Sequence, residues 1–183
     1  MVLRKGCVKS MEKTMNETTC DISDKFHPDV QYLESEYKSY GGKTSFSGRI
    51  ITIKCYEDNS LVEEVLKTNG KDSVLVIDAG GSMKCAMLGD KRAAEAIKND
   101  WEGFLVHGLI RDSATINGMK IGIRALGVCP LKSIKKGVGD RDLVVNFSGV
   151  TFTPGEYLYA DEDGVIIIKE NLLKNLINNC GLF

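Results

Sequence analysis

Long apolar runs are absent from this sequence of 183 residues. No run approaches the ~18 apolar residues that a membrane-spanning helix requires, so we expect no membrane segment. Residues 1–15 contain scattered Lys and Arg but no apolar core of signal-peptide length. We therefore expect a cytoplasmic protein.

Closely spaced metal-binding residues are also scarce. The sequence has two histidines and six cysteines, and no two of the cysteines form a CxxC pair. Neither His27 nor His107 has a spacing to a cysteine that is typical of zinc ligands. This pattern argues against a zinc site and indicates reduced thiols, as is usual for cytosolic proteins.

Neither sign of charge is in excess. The sequence has 24 Lys and Arg and 25 Asp and Glu, which gives a formal net charge of -1. A dedicated nucleic-acid binder normally has a basic excess, so we expect no direct binding to nucleic acid. Lys132, Lys135 and Lys136 form a small basic cluster, which we interpret as a solvated face in preference to a phosphate or RNA patch.

Length and composition favour one globular domain, with 43% apolar and 27% charged residues. Residues 1–18 are polar and show no sustained period, which predicts a flexible N-terminal extension. The folded domain is then expected to span residues 19–183.

Strand and helix signals alternate along this domain and predict an α/β fold. Predicted strands cover residues 46–55, 73–78, 86–88, 103–110, 121–128 and 142–147, followed by a hairpin within residues 157–169. Predicted helices cover residues 60–69, 91–99 and 170–179, and residues 30–40 have a mixed helical signal. Ser60 and Glu63 have the spacing of a capping box at the start of the first of these helices.

Residues 89–112 contain the most informative chemistry. A predicted helix begins just after Gly89, and a predicted strand ends just before Arg111. In a right-handed β-α-β unit, both points lie at the same edge of the sheet, which is the edge where open α/β sheets bind ligands. We therefore expect the loop at residues 89–92 to face Arg111 and Asp112.

This combination suits a small carboxylic acid. Free N–H groups and the helix dipole at the loop attract a carboxylate, and Arg111 can bind it with two parallel hydrogen bonds. Asp112 is a hard oxygen ligand suited to Mg²⁺ or Mn²⁺. Asp90 could accept hydrogen bonds from metal-bound waters, or orient one of these waters as a base. The predicted substrate-binding residues are Gly89, Asp90, Lys91, Arg92 and Arg111.

Each of these residues also has a structural explanation when it is taken alone. Asp90 is an ordinary helix-capping residue, and Arg-Asp is a common surface dipeptide at the end of a strand. His107 lies within an apolar strand, where a hydrogen-bonded core histidine is more usual than a ligand. Gly80 and Gly81 are not followed by a GxGxxG pattern, which argues against dinucleotide binding.

Taken together, several segments resemble the family that contains the regulator of ribonuclease activity A and the 4-hydroxy-4-methyl-2-oxoglutarate aldolases. The similar segments are residues 41–48, 74–81, 99–103, 108–112, 145–150 and 157–164. The resemblance extends from about residue 19 to residue 169, and it implies a compact single domain of the swivelling β/β/α type, with a layered β-sheet core flanked by helices.

The resemblance also implies a function. Family members with aldolase activity have an acidic residue, a spacer of twenty residues and then Arg-Asp. Here Asp90 is followed by residues 91–110 and then by Arg111 and Asp112. The expected activity is metal-dependent cleavage of 4-hydroxy-4-methyl-2-oxoglutarate to pyruvate, with decarboxylation of oxaloacetate at the same site. Asp90 and Arg111 would be catalytic, and Asp112 would bind the metal.

The family further implies a homotrimer or a dimer of trimers. The alternative function that it implies is non-enzymatic, in which the protein binds and inhibits a ribonuclease or an RNA-processing helicase. A methyltransferase activity, also associated with this family, has no glycine-rich nucleoside loop to support it. We expect the C-terminal extension of larger aldolases, which can supply an acidic group to a neighbouring subunit, to have no counterpart here.

Overall fold

The computed structural model describes residues 17–34 and 37–169. The predicted helix at residues 170–179 and residues 1–16 of the predicted extension lie outside this part. The described helices are α1 (Thr19–Phe26), α2 (Ser60–Val65), α3 (Asp90–Lys98) and α4 (Ser113–Ile116). No helix in the described part of the chain is long and apolar enough to cross a membrane.

Twelve strands are described. They are β1 (Val30–Tyr32), β2 (Lys38–Tyr40), β3 (Phe46–Lys54), β4 (Ser73–Asp78), β5 (Ala86–Leu88), β6 (Gly103–Ile110), β7 (Gly122–Val128), β8 (Asp140–Arg141), β9 (Val145–Phe147), β10 (Val150–Phe152), β11 (Tyr157–Ala160) and β12 (Val165–Ile168).

Ten of these strands form one mixed sheet in the order β1-β12-β11-β3-β4-β6-β7-β2, with β5 beside β6 and β8 beside β3. The central strands β3, β4, β6 and β7 are parallel, and their outer neighbours β11 and β2 are antiparallel to them. Parallel strands are normally covered on both faces, which explains why β4 and β6 are almost continuous apolar runs.

Helices cover one face of the sheet and a β-hairpin covers the other. Leu75 and Phe104 point to the helical face, where they pack with residues of α2, α3 and α4. Val76 and Leu105 point to the opposite face and pack with the β9–β10 hairpin, including Phe152. This hairpin–sheet–helix layering confirms the predicted α/β fold with a layered sheet core.

The N-terminus of helix α1 is hydrogen-bonded to the β11–β12 hairpin of the sheet. Thr18 is the N-cap and forms a capping box with Asp21. The next residue, Thr19, donates hydrogen bonds of 2.7 Å from both its backbone N–H and its hydroxyl to the buried carboxylate of Asp161. These bonds join the start of the domain to the β11–β12 hairpin.

Three local predictions were wrong. Residues 30–40 contain the edge strands β1 and β2 instead of a helix. The strand predicted at residues 142–147 is interrupted after β8, where Asp142 has a φ of +58°. The capping box is also missing, because Asn59 is the N-cap of α2 and forms no side-chain capping bond.

Candidate active site

Strand β5, helix α3 and strand β6 form a β-α-β unit that brings the two predicted segments together. Strands β5 and β6 are parallel, with Leu88 opposite Ile110. The N–H of Arg111 donates a hydrogen bond to the carbonyl of Leu88 across 2.9 Å. Gly89 and Arg111, the residues that follow these two strands, therefore lie side by side at the carboxyl edge of the sheet.

Gly89 is the N-cap of α3, and nothing larger fits there without a shift. A Cβ atom at this position would lie 2.8 Å from Oδ2 of Asp112 and 3.0 Å from Cγ of Arg111. The first distance is shorter than real Cβ contacts allow, so the missing side chain lets the helix start approach these two residues.

Asp112 is held in a left-handed conformation, with φ of +57°. Its Oδ2 accepts hydrogen bonds from Nε of Arg111 across 3.1 Å and from the backbone N–H of Asp90 across 3.4 Å. The side chains of Arg111 and Asp112 are 36% and 30% exposed. A small polar ligand can therefore reach both residues from solvent.

The first amides of α3 already face carboxylate oxygens within the chain. The N–H of Asp90 points to Asp112, and the N–H of Lys91 donates a 2.7 Å hydrogen bond to Oδ1 of Asp90. Helix N-termini favour anions because of these unpaired amides and the helix dipole. The same amides could bind the carboxylate of a ligand that displaced the internal ones.

Arg92 has other partners. Its guanidinium binds Oε2 of Glu63 on α2 across 2.8 Å and Oε2 of Glu95 across 2.5 Å. The backbone N–H of Arg92 donates a hydrogen bond to the carbonyl of Gly89 across 3.0 Å. No local sequence pattern indicates the contact between Arg92 and Glu63, because it joins two different helices. The role in substrate binding predicted for Arg92 remains a prediction, and its side chain is directed towards α2.

The contact between an Arg and the Asp that follows it occurs at a second place in the chain. Nε of Arg141 donates to Oδ2 of Asp142 across 3.0 Å, and Asp142 also has a left-handed φ. The contact between neighbouring Arg and Asp is therefore not distinctive by itself. What distinguishes Arg111 and Asp112 is the start of α3 packed directly against them.

The donor set at this edge limits how a metal could be held. Within residues 17–34 and 37–169, no group of three or more His, Cys, Asp or Glu side chains could hold a metal ion. Mg²⁺, however, commonly uses one or two protein carboxylates and completes its shell with water and substrate oxygens. Asp112 fits that role, since its Oδ1 accepts no hydrogen bond from the described residues.

His107 belongs to a separate polar cluster on the hairpin face. Its Nδ1 lies 2.7 Å from the hydroxyl of Tyr37, which lies 3.0 Å from the hydroxyl of Ser148. The imidazole stacks on Phe147, with ring centroids 4.5 Å apart. Burial lowers the pKa of His107, and burial raises the pKa of Tyr37 to about 12. The predicted core role of His107 agrees with these contacts.

A cavity at the amino ends of the parallel strands is a poorer candidate for the active site. It is lined by Ser45, Phe46, Ser47 and Tyr159, among others, near the point where β3 begins. None of the six predicted site residues lines it. Because α/β sheets bind ligands at the carboxyl ends of their parallel strands, we place the candidate site at Gly89–Asp112.

The mixed sheet, with helices on one face and a hairpin on the other, and the β-α-β edge with Arg111, Asp112 and the start of α3 define an α/β protein with a candidate site at the carboxyl ends of its parallel strands. The chain belongs to the RraA-like family described as Aldolase/RraA, whose model matches residues 19–167.

Two relatives are similar over nearly their whole length, and both are candidate 4-hydroxy-4-methyl-2-oxoglutarate aldolases by name. The protein from Dechloromonas aromatica is 55% identical over 157 residues, which is 84% of this chain and 96% of the relative. The protein from Aromatoleum aromaticum is 51% identical over 159 residues, which is 87% of this chain and 100% of the relative.

Two solved structures share the fold. One, from Geobacillus kaustophilus, is described as S-adenosylmethionine:2-dimethylmenaquinone methyltransferase. It has a TM-score of 0.84 and 47% identity, over 86% of this chain and 98% of that one. The other is the RNA-processing inhibitor RraA from Thermus thermophilis, with a TM-score of 0.81 and 40% identity, over 84% of this chain and 93% of that one.

Proposed function

We propose that this protein is a divalent-metal-dependent aldolase that cleaves 4-hydroxy-4-methyl-2-oxoglutarate to pyruvate. The observation that carries the proposal is the contact of Asp112 with both Arg111 and the first amide of α3. The names of the relatives that are 55% and 51% identical support the choice of substrate.

Substrate binding would begin with the carboxylate beside the 2-oxo group. The terminal amino groups of Arg111 form no hydrogen bond with the described residues, so they are available for a two-point contact. The N–H groups of Asp90 and Lys91 donate to the carboxylates of Asp112 and Asp90 in the structure. They would bind the substrate carboxylate once these two side chains move aside. Together these groups would orient C3 and C4 of the substrate.

Cleavage requires removal of the proton from the 4-hydroxyl. Oδ2 of Asp90 accepts no hydrogen bond from the described residues, so it can take that proton directly or through one water. The C3–C4 bond then breaks, C4 becomes the carbonyl carbon of one pyruvate, and the electron pair forms the enolate of the second. Protonation of the enolate at C3 completes the reaction.

Asp112 would hold the metal, Mg²⁺ or Mn²⁺, through its free oxygen. When bound, the cation supplies Lewis-acid stabilisation of the negative charge that develops on the 2-oxo oxygen. Decarboxylation of oxaloacetate generates the same enolate, so we expect the site to catalyse that reaction as well. In that case CO₂ leaves and no base is required.

Self-association is part of the proposal, as a homotrimer or a dimer of trimers. Apolar side chains near the carboxyl edge of the sheet are unusually exposed, among them Val128, Leu131, Ile134 and Val138 at 52–65%. Exposed apolar patches of this kind are typical of protein interfaces. We expect multi-angle light scattering to give a mass three or six times that of the chain, and Leu131→Glu to reduce it.

The direct test is release of pyruvate by the purified protein with Mg²⁺ or Mn²⁺. We expect activity on both substrates, its loss with EDTA, and recovery when metal is added back. Asp112→Ala and Arg111→Ala should each abolish turnover while the circular dichroism spectrum and Tm stay near those of the wild type. Unchanged activity in both variants would refute the assigned site.

The alternative function is regulation of a ribonuclease or an RNA-processing helicase in the cytoplasm. The similarity to the RNA-processing inhibitor RraA favours it. In that case a pull-down with a purified ribonuclease would succeed equally in the presence of Mg²⁺ and of EDTA. Asp112→Ala would leave this binding intact, whereas it abolishes the proposed lyase activity.

A further inference from the structure

Helix α3 begins with two adjacent cations, and the structure treats them differently. Arg92 is neutralised by Glu63 and Glu95. Lys91 is exposed and forms no ion pair with any described residue. Lys91 is therefore the cation of this helix start that remains available to a ligand.

The geometry of a helix allows the exposed side chain of Lys91 to extend past the start of α3. Side chains in an α-helix lean towards the N-terminus, so a residue in the first turn extends past the helix start. Lys91 is the second residue of α3, immediately after Asp90, and Asp90 contacts Asp112. The flexible four-carbon stem of lysine lets its ammonium reach a group bound beside the first amides.

The local charge balance favours a ligand with two negative charges. Asp90 and Asp112 contribute two negative charges, and Arg111 and Lys91 contribute two positive ones, so these four side chains sum to zero. A divalent cation would bring the site to +2, which a doubly charged acid neutralises. A 2-oxo acid with one carboxylate would leave an excess positive charge.

We infer that Lys91 binds the second carboxylate of the substrate and selects dicarboxylic over monocarboxylic 2-oxo acids. The inference rests on the proposed function, because it assumes that the first carboxylate is held by Arg111 and the first amides of α3. It assigns Lys91 a role in specificity through its ammonium, in addition to the role of its backbone N–H.

A matched pair of unreactive ligands tests this role. The two acids 2-oxoglutarate and 2-oxopentanoate have the same chain length and differ only in the second carboxylate. Binding of each to the Mg²⁺-loaded protein can be measured by isothermal titration calorimetry. We expect the wild type to bind 2-oxoglutarate about tenfold more tightly, a ratio typical of one partly screened ion pair.

The substitution Lys91→Gln should reduce this preference to less than about threefold and leave the Kd of 2-oxopentanoate unchanged. The control is Lys98→Gln, which removes the same charge from an exposed position about 10 Å along the same helix. Lys98→Gln should retain the full preference. Raising the salt concentration should weaken the preference of the wild type but not the small remaining preference of Lys91→Gln.

The outcomes are distinguishable. If the preference for 2-oxoglutarate is the same in the wild type and in Lys91→Gln, the role of Lys91 is refuted while the proposed lyase stands. An equal loss of affinity for both acids in Lys91→Gln would also overturn it, because it would indicate a general effect on the helix start. If neither acid binds the wild type, the proposed function and this inference fail together.

Discussion

The backbone N–H of Asp90 points at Oδ2 of Asp112 across 3.4 Å, which joins the start of α3 to the residues that follow β6. This contact exists because Gly89, one residue earlier, has no side chain. A methyl group there would meet Oδ2 of Asp112 at 2.8 Å. A larger residue at position 89 would therefore displace the side chain of Asp112 in the candidate site.

We predict that Gly89→Ala lowers kcat/KM for pyruvate release by about 10- to 100-fold, because small displacements of substrate-positioning groups have effects of this size. The Tm should change little, since the atoms that must move are the side chains of Arg111 and Asp112 and not the backbone. Steady-state kinetics and a thermal melt check both parts.

The matched control is Gly118→Ala. A Cβ atom at Gly118 would lie 3.5 Å from the carbonyl of Thr115, which is an ordinary contact. This variant should keep both activity and stability. Full activity in Gly89→Ala would mean that the close approach at the helix start does not matter for turnover.

A second prediction concerns the shape of Arg111 rather than its charge. Arg111→Lys keeps the positive charge but loses the planar fork that makes two parallel hydrogen bonds to a carboxylate. We expect kcat/KM to fall by about tenfold or more. Arg141→Lys is the control, because Arg141 makes the same Nε contact with its neighbouring Asp142, away from the start of α3. Equal kinetics of the two variants would contradict the prediction.

The arrangement of this edge could be predicted because its elements have strong local signals. Strands β5 and β6 are apolar runs, and the amphipathic helix between them begins after a glycine. Once such elements pair in parallel, their ends must meet at one edge. The contact between Asp90 and Asp112 follows from that topology.

Other features depend on contacts between distant residues and have no local signal. Strand β1 pairs with β12, with Val30 opposite Ile168, and this pairing overrides the mixed helical pattern of residues 30–40. Likewise, Glu63 has the right spacing to cap α2 but binds Arg92 on α3. The first N–H of α2, from Ser60, is instead satisfied by Asp58.

A third prediction follows from this Asp58 carboxylate, which is buried and accepts three backbone hydrogen bonds. Its donors are the N–H groups of Ser60, Lys136 and Val138, at 2.8, 2.7 and 3.0 Å. Burial alone would raise the pKa of Asp58, but hydrogen bonding by the side chain of Ser60 and by these three N–H groups holds it well below its usual value. The ionised carboxylate of Asp58 therefore joins the segment at residues 136–138 to the start of α2 by hydrogen bonds.

We expect Asp58→Ala to lower the free energy of unfolding by about 1–3 kcal/mol, because it removes three backbone hydrogen bonds to a charged acceptor. Urea denaturation measures this loss, and hydrogen exchange should show faster exchange at the amides of Lys136 and Val138. The control Asp24→Ala removes an exposed aspartate within α1 and should cost less than about 0.5 kcal/mol. Unchanged exchange at residues 136 and 138 in Asp58→Ala would contradict the argument.

The last prediction concerns pH and the cluster formed by His107, Tyr37 and Ser148. Burial lowers the pKa of His107 in the folded protein, and the negative charge of Asp78 offsets only part of this effect. In the unfolded chain the imidazole has its ordinary pKa of about 6.5. Between these two pKa values the unfolded state binds more protons, so its free energy falls relative to that of the folded state.

The contribution of His107 to stability is therefore complete above about pH 6.5 and is lost as the pH falls through that value towards the lower pKa of the folded state. We expect the Tm to decrease as the pH is lowered across this range, and His107→Gln to flatten the decrease. His27→Gln alters the other histidine, which is exposed, and should leave the slope unchanged. A slope that is the same in the wild type and His107→Gln would show that protonation of this imidazole is not what destabilises the fold.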